Sequence, residues 1–272
     1  MEKTLTFIHI SDTHLGAKTD YVHRGFQPYE RMQRLVGDIK RLPIVPDFIV
    51  HTGDVCGDKD SHATLQHYAL AKPLLESLPA PLYYLLGNHD CKQSLFGTLA
   101  SGPYTVMYEN DRELMYEFSV RGFSCIALHS SVAFERAGRI GSRQLGLLEA
   151  HLSTSAVPCC IFLHHPPITV GSLWMDQNML LSDGGALHSI IKKFSDRVMG
   201  VFFGHIHQNL HFLKDGVSYF SSPGSIFQFS TFPNDDQPLL EQQSHVGYSV
   251  IRIREGHLQV HSRIVPNSQS SG

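Results

Sequence analysis

Five short apolar runs in this chain each end in a polar motif, and that recurrence is what most limits the folds open to it. Phe7-Ile8-His9-Ile10 runs into Asp12-x-His14, and Phe48-Ile49-Val50 into Gly53-Asp54. Leu82-Tyr83-Tyr84-Leu85-Leu86 runs into Gly87-Asn88-His89-Asp90, and Cys160-Ile161-Phe162-Leu163 into His164-His165-Pro166. Val201-Phe202-Phe203 runs into Gly204-His205-Ile206-His207. Buried strands that stop at Asp, Asn and His deliver oxygen and nitrogen ligands to one rim of a sheet, which is where open α/β sheets place their sites. Two carboxylates and several imidazoles with no thiolate spacing suit borderline divalent or trivalent metals. One such motif arises by chance in many folds. Five in a fixed order, each after a strand-like run, do not.

The chain of 272 residues is long enough for one large core, and its hydrophobic content of 42% and charged content of 17% are globular values. A formal net charge of −3 gives no basic footprint for a nucleic-acid polymer. No apolar run approaches the ~20 residues a membrane helix needs. Met1-Glu2-Lys3-Thr4 enters a strand at once, with no secretory apolar region. Cys56, Cys91, Cys125, Cys159 and Cys160 form no metal-ligand spacing and are odd in number, which suits a reducing, cytoplasmic setting.

Patterning predicts strands over 5–10, 47–51, 81–86, 158–163 and 198–203, and a hairpin of 115–120 and 123–128 turned at Arg121-Gly122. Helices are expected over 29–41, 61–78 (with Ser61 as N-cap), 142–152 and 183–194, and a short helix or turn over 94–99. Residues 170–176, with the lone Trp174, read as a long loop. After His207 come short β runs at 210–213, 217–220, 225–229, 246–254 and 257–264, expected to add antiparallel strands to a second sheet. No linker or internal repeat divides the chain, so residues 1–265 are expected to form a single domain and 266–272 a disordered tail.

These five motifs together make the chain resemble the calcineurin-like metallophosphoesterases over residues 5–265. His164-His165-Pro166-Pro167, Gly171 to Asp176, Gly204-His205-Ile206-His207-Gln208, and Pro223-Gly224-Ser225 with Gln228-Phe229 look like one branch of that family. It holds the class III cyclic nucleotide phosphodiesterases and related glycerophosphodiesterases. The resemblance implies an α/β fold, a four-layer αββα sandwich of two mixed β-sheets flanked by helices. It also implies a dinuclear metal centre that hydrolyses phosphodiesters, cyclic AMP among the substrates to try.

By resemblance Asp54 bridges the two metals, with Asp12, His14 and His207 completing one site and Asn88, His164 and His205 the other. Two metals ~3.5–4 Å apart clamp the attacking and leaving oxygens of a phosphoryl group and lower the pKa of bound water to ~7, so a metal-bound hydroxide is the expected nucleophile. Asn88 and His89 are expected to contact substrate, and His89 to protonate the leaving oxygen. The metals expected are iron and manganese, with zinc or cobalt also compatible with such ligands. The partner expected is a small phosphodiester, with no membrane; a homo-oligomer stays open.

Each assignment has a plainer rival. Asp12 can cap a turn, Asp54 can be a turn residue, and Asp90 is expected to brace the Asn88-His89 turn rather than ligate. His165 is read as orienting the site or simply packed. Trp174 lines a pocket, anchors its loop or sits at a subunit interface, and Phe227, Phe229 and Phe232 pose the same choice. His129-Ser130-Ser131 departs from the Asp-x-Ser pattern of related chains, and Arg24-Gly25-Phe26-Gln27-Pro28 from the loop of the cyclic nucleotide enzymes. A phosphomonoesterase on the same site and a non-catalytic scaffold are the competing functions.

Overall fold

The computed structural model describes residues 4–57, 63–132 and 135–265. The first half runs β1 (Thr4–Ile10), α1 (Pro28–Lys40), β2 (Phe48–His51), α2 (Leu65–Leu75), β3 (Leu82–Tyr84) and α3 (Lys92–Thr98). Then come β4 (Thr105–Glu109), β5 (Leu114–Val120), β6 (Phe123–Ala127), α4 (Ser142–Thr154), β7 (Cys159–Phe162), α5 (Leu173–Asn178), α6 (Gly184–Lys192) and β8 (Val198–Phe203). The chain finishes with β9 (His211–Lys214), β10 (Val217–Ser221), β11 (Phe229–Ser230), β12 (Leu239–Leu240), β13 (Val246–Arg254) and β14 (His257–Val265).

Two mixed sheets result, one ordered β14-β13-β1-β2-β3 and the other β4-β5-β6-β7-β8-β10-β9. Strand side chains alternate between faces, and both faces here are covered. On β1, Leu5 and Phe7 join the core between the sheets, while Ile8 and Ile10 pack with Met32, Leu35 and Tyr68 under α1 and α2. The core between the sheets is aromatic: Phe7 stacks on Phe48 at 4.8 Å and meets Phe162 edge-on at 5.6 Å. A third apolar layer joins Ile161, Val201 and Phe203 to Leu148, Leu187 and Ile191 of α4 and α6. Four layers, αββα, follow as expected. Because β1, β2 and β3 are parallel in one sheet and β6, β7 and β8 in the other, the carboxyl ends of both sets can serve one site.

Several local expectations change. Helix α2 starts at Leu65 with Thr64 as N-cap, in a capping box with His67; Ser61 lies outside the described residues, as does the expected tail. Most of the loop expected over 170–176 is instead helical, since α5 starts at Leu173, capped where Ser172 Oγ accepts from Met175 N. Strand β4 was not expected. Residues 225–228 are not strand; only Phe229–Ser230 pairs, with Leu239–Leu240. The final hairpin joins the first sheet, β13 pairing antiparallel with β1, while β10 pairs parallel with β8 in the second. No helix among the described residues is long and apolar enough to cross a membrane.

Candidate metal centre and active site

Asp12 and His14 follow β1, Asp54 follows β2, Asn88 follows β3, His164 follows β7, and His205 and His207 follow β8. All seven expected ligands converge. His14 Nε2 and His207 Nε2 face each other at 3.2 Å, with Asp12 Oδ1 3.4 Å from His207 Nε2. His164 Nε2 lies 3.2 Å from Asn88 Oδ1 and 3.5 Å from Asp54 Oδ2, and the same Asp54 oxygen is 3.8 Å from His14 Nε2. Asp54 belongs to two groups whose ligand atoms all lie within 4.8 Å of one another, one with His14 and His89 and one with Asp12 and His164. The His205 ring sits 4.8 Å from that of His164.

The backbone is bent to achieve this. Asp12, His14, Asp54, His205 and His207 all have positive φ, from 42° to 71°. Non-glycine residues avoid this region and occupy it where surrounding structure forces them, a pattern that clusters at functional sites. Two glycines make room: a Cβ on Gly87 would collide with the Asp54 carboxylate, and one on Gly204 with Ser11 and Asp12.

Backbone carbonyls fix the tautomers. His164 Nδ1 donates to Thr52 O at 2.7 Å, His207 Nδ1 to Phe227 O at 3.1 Å and His205 Nε2 to Arg136 O at 2.9 Å. Each imidazole therefore turns its other nitrogen towards the cluster, the usual way a metal-binding histidine is oriented. Asp12 Oδ1 is buried with no hydrogen-bond partner. A buried, unpaired carboxylate oxygen amid converging imidazole lone pairs fits a cation, so the residues suit the metal pair the family implies.

Charges follow the same logic. Burial opposes ionisation of Asp12 and Asp54, but His207 beside the first and His164 beside the second hold both below the usual carboxylate range. Burial also opposes a proton on His164, yet the Asp54 charge raises its pKa to about 9. Burial, then His164, pushes His205 down to about 3. Around the cluster, His9 and His51 are driven to about 3, burial being the largest cause for each.

Asp90 braces, as expected. Its carboxylate accepts from Gly87 N at 2.9 Å, Val55 N at 3.2 Å and Tyr68 OH at 2.8 Å, tying the Asp54 and Asn88 loops together. Burial and the nearby Asp54 charge raise it to about 6. His89 donates its backbone N–H to Asp54 Oδ1 at 2.9 Å, and its ring stands edge-on to His14 at 5.2 Å. His165 is buried, donates or accepts through Nδ1 at Ser130 Oγ (2.9 Å), and packs 4.3 Å from the His205 ring.

The centre opens into a cavity of about 490 Å³ walled by His89, Trp174, Met179, Phe227, Phe229, Arg24, Arg136 and Gln237 among others. Phe227 is buried and stacks on His207 at 4.2 Å, whereas Phe232 is 65% exposed and takes no part. Trp174 and Phe229 line the cavity. His129 lines a neighbouring cavity of about 570 Å³ that shares Asn88. Sequence reasoning missed His23, whose ring stacks on His14 at 4.9 Å, and the placement of Arg24 and Arg136. The loop from Arg24 to Pro28 stood out as a departure, which was the one signal for the first two.

An αββα sandwich gathering Asp, Asn and His at the ends of its parallel strands is the architecture of a metal-dependent phosphoesterase. Residues 5–209 match the family described as calcineurin-like phosphoesterase, and the chain belongs to it. It is 29% identical over 235 residues to a 3',5'-cyclic adenosine monophosphate phosphodiesterase of Vibrio vulnificus, covering 86% of this chain and 81% of that protein. It is 30% identical over 230 residues to a 3',5'-cyclic-nucleotide phosphodiesterase of a Nostoc species, covering 84% of this chain and 80% of that protein. Among solved structures, a purple acid phosphatase from yellow lupin seeds superposes with a TM-score of 0.70 at 14% identity, over 99% of this chain and 53% of that one, and so shares the fold. The expected family, fold and hydrolytic class hold.

Proposed function

We propose that this protein hydrolyses small phosphodiesters, cyclic nucleotides such as cyclic AMP first among them, with two metal ions held around Asp54. The observation that carries the reading is the shared Asp54 carboxylate, flanked by His14 and His164, opening onto a cavity with aromatic walls. Asp12, His14 and His207 would hold one metal, and Asn88, His164 and His205 the other; iron and manganese are the pair to try first. When bound, the metals supply Lewis acidity and an acidified water.

The remaining roles belong to the chain. Asn88 contributes a neutral oxygen, so its metal keeps more positive charge. His89 lines the cavity beside the metal ligands, where its imidazole can hydrogen-bond the phosphate and pass a proton to the departing oxygen. Trp174, Met179, Phe227 and Phe229 give an ester arm an apolar wall and exclude water. Residues 1–265 act as one domain, in the cytoplasm.

The test is chelation followed by reloading, assayed with cyclic AMP, a glycerophosphodiester, an aryl diester and an aryl monoester. Activity should vanish with the metal and return with Mn or Fe, with diesters preferred. Full activity in a verified metal-free preparation ends the two-metal reading, and preference for the monoester moves the protein to the phosphomonoesterases.

A further inference from the structure

The mouth of the cavity holds two arginines placed with more care than an exposed rim requires. His23 and Phe26 exchange two backbone hydrogen bonds, at 2.8 and 2.9 Å, which closes a two-residue turn over Arg24 and Gly25. Both turn residues have positive φ, 50° for Arg24 and 88° for Gly25. Turns of this mirror-image type favour Asn, Asp or Gly at the first position, because a side chain there crowds its own backbone. Arg24 occupies it nonetheless. The turn is fixed to the metal centre, since the His23 ring lies on His14 and on Phe227 (5.4 Å) and its Nδ1 meets Tyr21 OH at 2.9 Å.

From that anchored Cα the guanidinium reaches over Phe227 and Phe229, 5.8 and 5.3 Å from their ring centres. Arg136 lines the same cavity. Its carbonyl accepts from His205 Nε2, and its guanidinium lies 5.8 Å from the centre of Trp174. Aromatic faces hold a cation without cancelling it. The two charges sense each other: after burial, Arg136 is the next cause disfavouring the charge on Arg24. Asp54 is the one carboxylate among the described residues of the cavity wall, and it faces His14 and His164.

The phosphate of a simple diester carries one negative charge, which the metal pair already answers. Two further guanidinium forks, matched in shape to phosphate, call for another anion. We propose that Arg24 and Arg136 form a second anion subsite, so that a phosphodiester carrying a further phosphate on one ester arm is preferred to the same diester without it. This rests on the phosphodiesterase reading above.

The experiment compares thymidine 5′-(p-nitrophenyl phosphate) with the same compound phosphorylated at the 3′ oxygen. The scissile bond and chromophore are identical. The 3′-phosphate should raise kcat/KM about tenfold or more, as charge-assisted hydrogen bonds allow, and Arg24→Gln with Arg136→Gln should remove that preference. Equal kcat/KM in the unaltered protein, or a preference that survives in the double variant, overturns the subsite. An equal proportional loss on p-nitrophenyl phosphate overturns it too, by assigning the arginines to the scissile phosphate. Hydrolysis of neither diester would instead sink the diesterase reading itself.

Two other readouts bear on the same point. Trp174 is the sole tryptophan, so its emission should respond saturably to thymidine 3′,5′-bisphosphate in the unaltered protein and not in the double variant; identical titrations count against the subsite. Arg24→Asn, better suited to positive φ, should keep or raise Tm while losing the preference. A lowered Tm would show that Arg24 holds the turn, and overturn its assignment to substrate.

Discussion

The metal cradle and the mouth of the cavity, though adjacent, are built in opposite ways. In the cradle every expected ligand but Asn88 is buried and sits within a few residues of a central strand, and His164, His205 and His207 are each locked by a carbonyl. The mouth is assembled from the turn at Arg24, the segment at Arg136, helix α5 and the segment around Phe229, all distant in sequence. Rigid strands supply precision where chemistry needs fixed distances, and loops supply variety where substrates differ. The difference teaches that reaction type and substrate choice can be altered separately here.

Substitutions can break that separation, and the largest effect should come from the shared carboxylate. Asp54→Ala should lose both metals or hold one weakly, and turnover should fall by about 10³ or more, given the several kcal/mol a metal clamp supplies. Two metals bound at normal affinity by elemental analysis would show that the bridge lies elsewhere. His89, on the boundary between the regions, should behave differently. His89→Ala should keep both metals and lower turnover by about 10²–10⁴, the range for a lost general acid. The loss should be greater for a diester with a poor alkoxide leaving group than for one releasing nitrophenolate. Equal losses would assign His89 to phosphate binding, and loss of metal would make it a ligand or a support.

A smaller effect should appear in stability against pH, and it belongs to the layer beneath the cradle. His9 and His51 are buried with pKa about 3, against an ordinary value of 6.5. The unfolded chain takes up these protons first, so their stability is complete above about pH 6.5 and lost as pH falls towards 3. Each costs about 1.4 kcal/mol per pH unit within that window. Tm of the metal-loaded protein should therefore drop between pH 6.5 and 4. A flat profile would show that these histidines are charged in the fold.

What was legible in the sequence follows the same division. Each motif lies beside the strand that carries it, so the sequence singled out Asp12, His14, Asp54, Asn88, His164, His205 and His207 as expected ligands, their division between two metals coming from the family resemblance, and the structure brings all seven together. Convergence of distant loops leaves no local trace, so nothing near Arg136 announced that its carbonyl would hold His205 or its side chain face Trp174. Helix α5 spans six residues, too few for an apolar period to emerge, and depends on Ser172 and on Asp176 accepting from Val170 N at 2.7 Å. The alternation over residues 246–254 predicted a strand but not its edge; β1 was the neighbour, not the second sheet.

That pairing has a consequence for how the protein is made. Strand β1 carries Asp12 and His14 at its end, yet one of its two neighbours is β13, which a ribosome reaches only at Val246–Arg254. Ser11 O likewise waits for the N–H of Ser225, which it accepts at 3.0 Å. Until then the strand offers a bare apolar edge, the kind that pairs with the wrong chain. Closing so long a loop is also slow. A fragment ending at residue 209, where the family match stops, would contain all seven expected ligands and still leave the first strand half unpaired. The last of the five motifs, at His205 and His207, is therefore made before the β13–β14 hairpin that covers the open edge of β1.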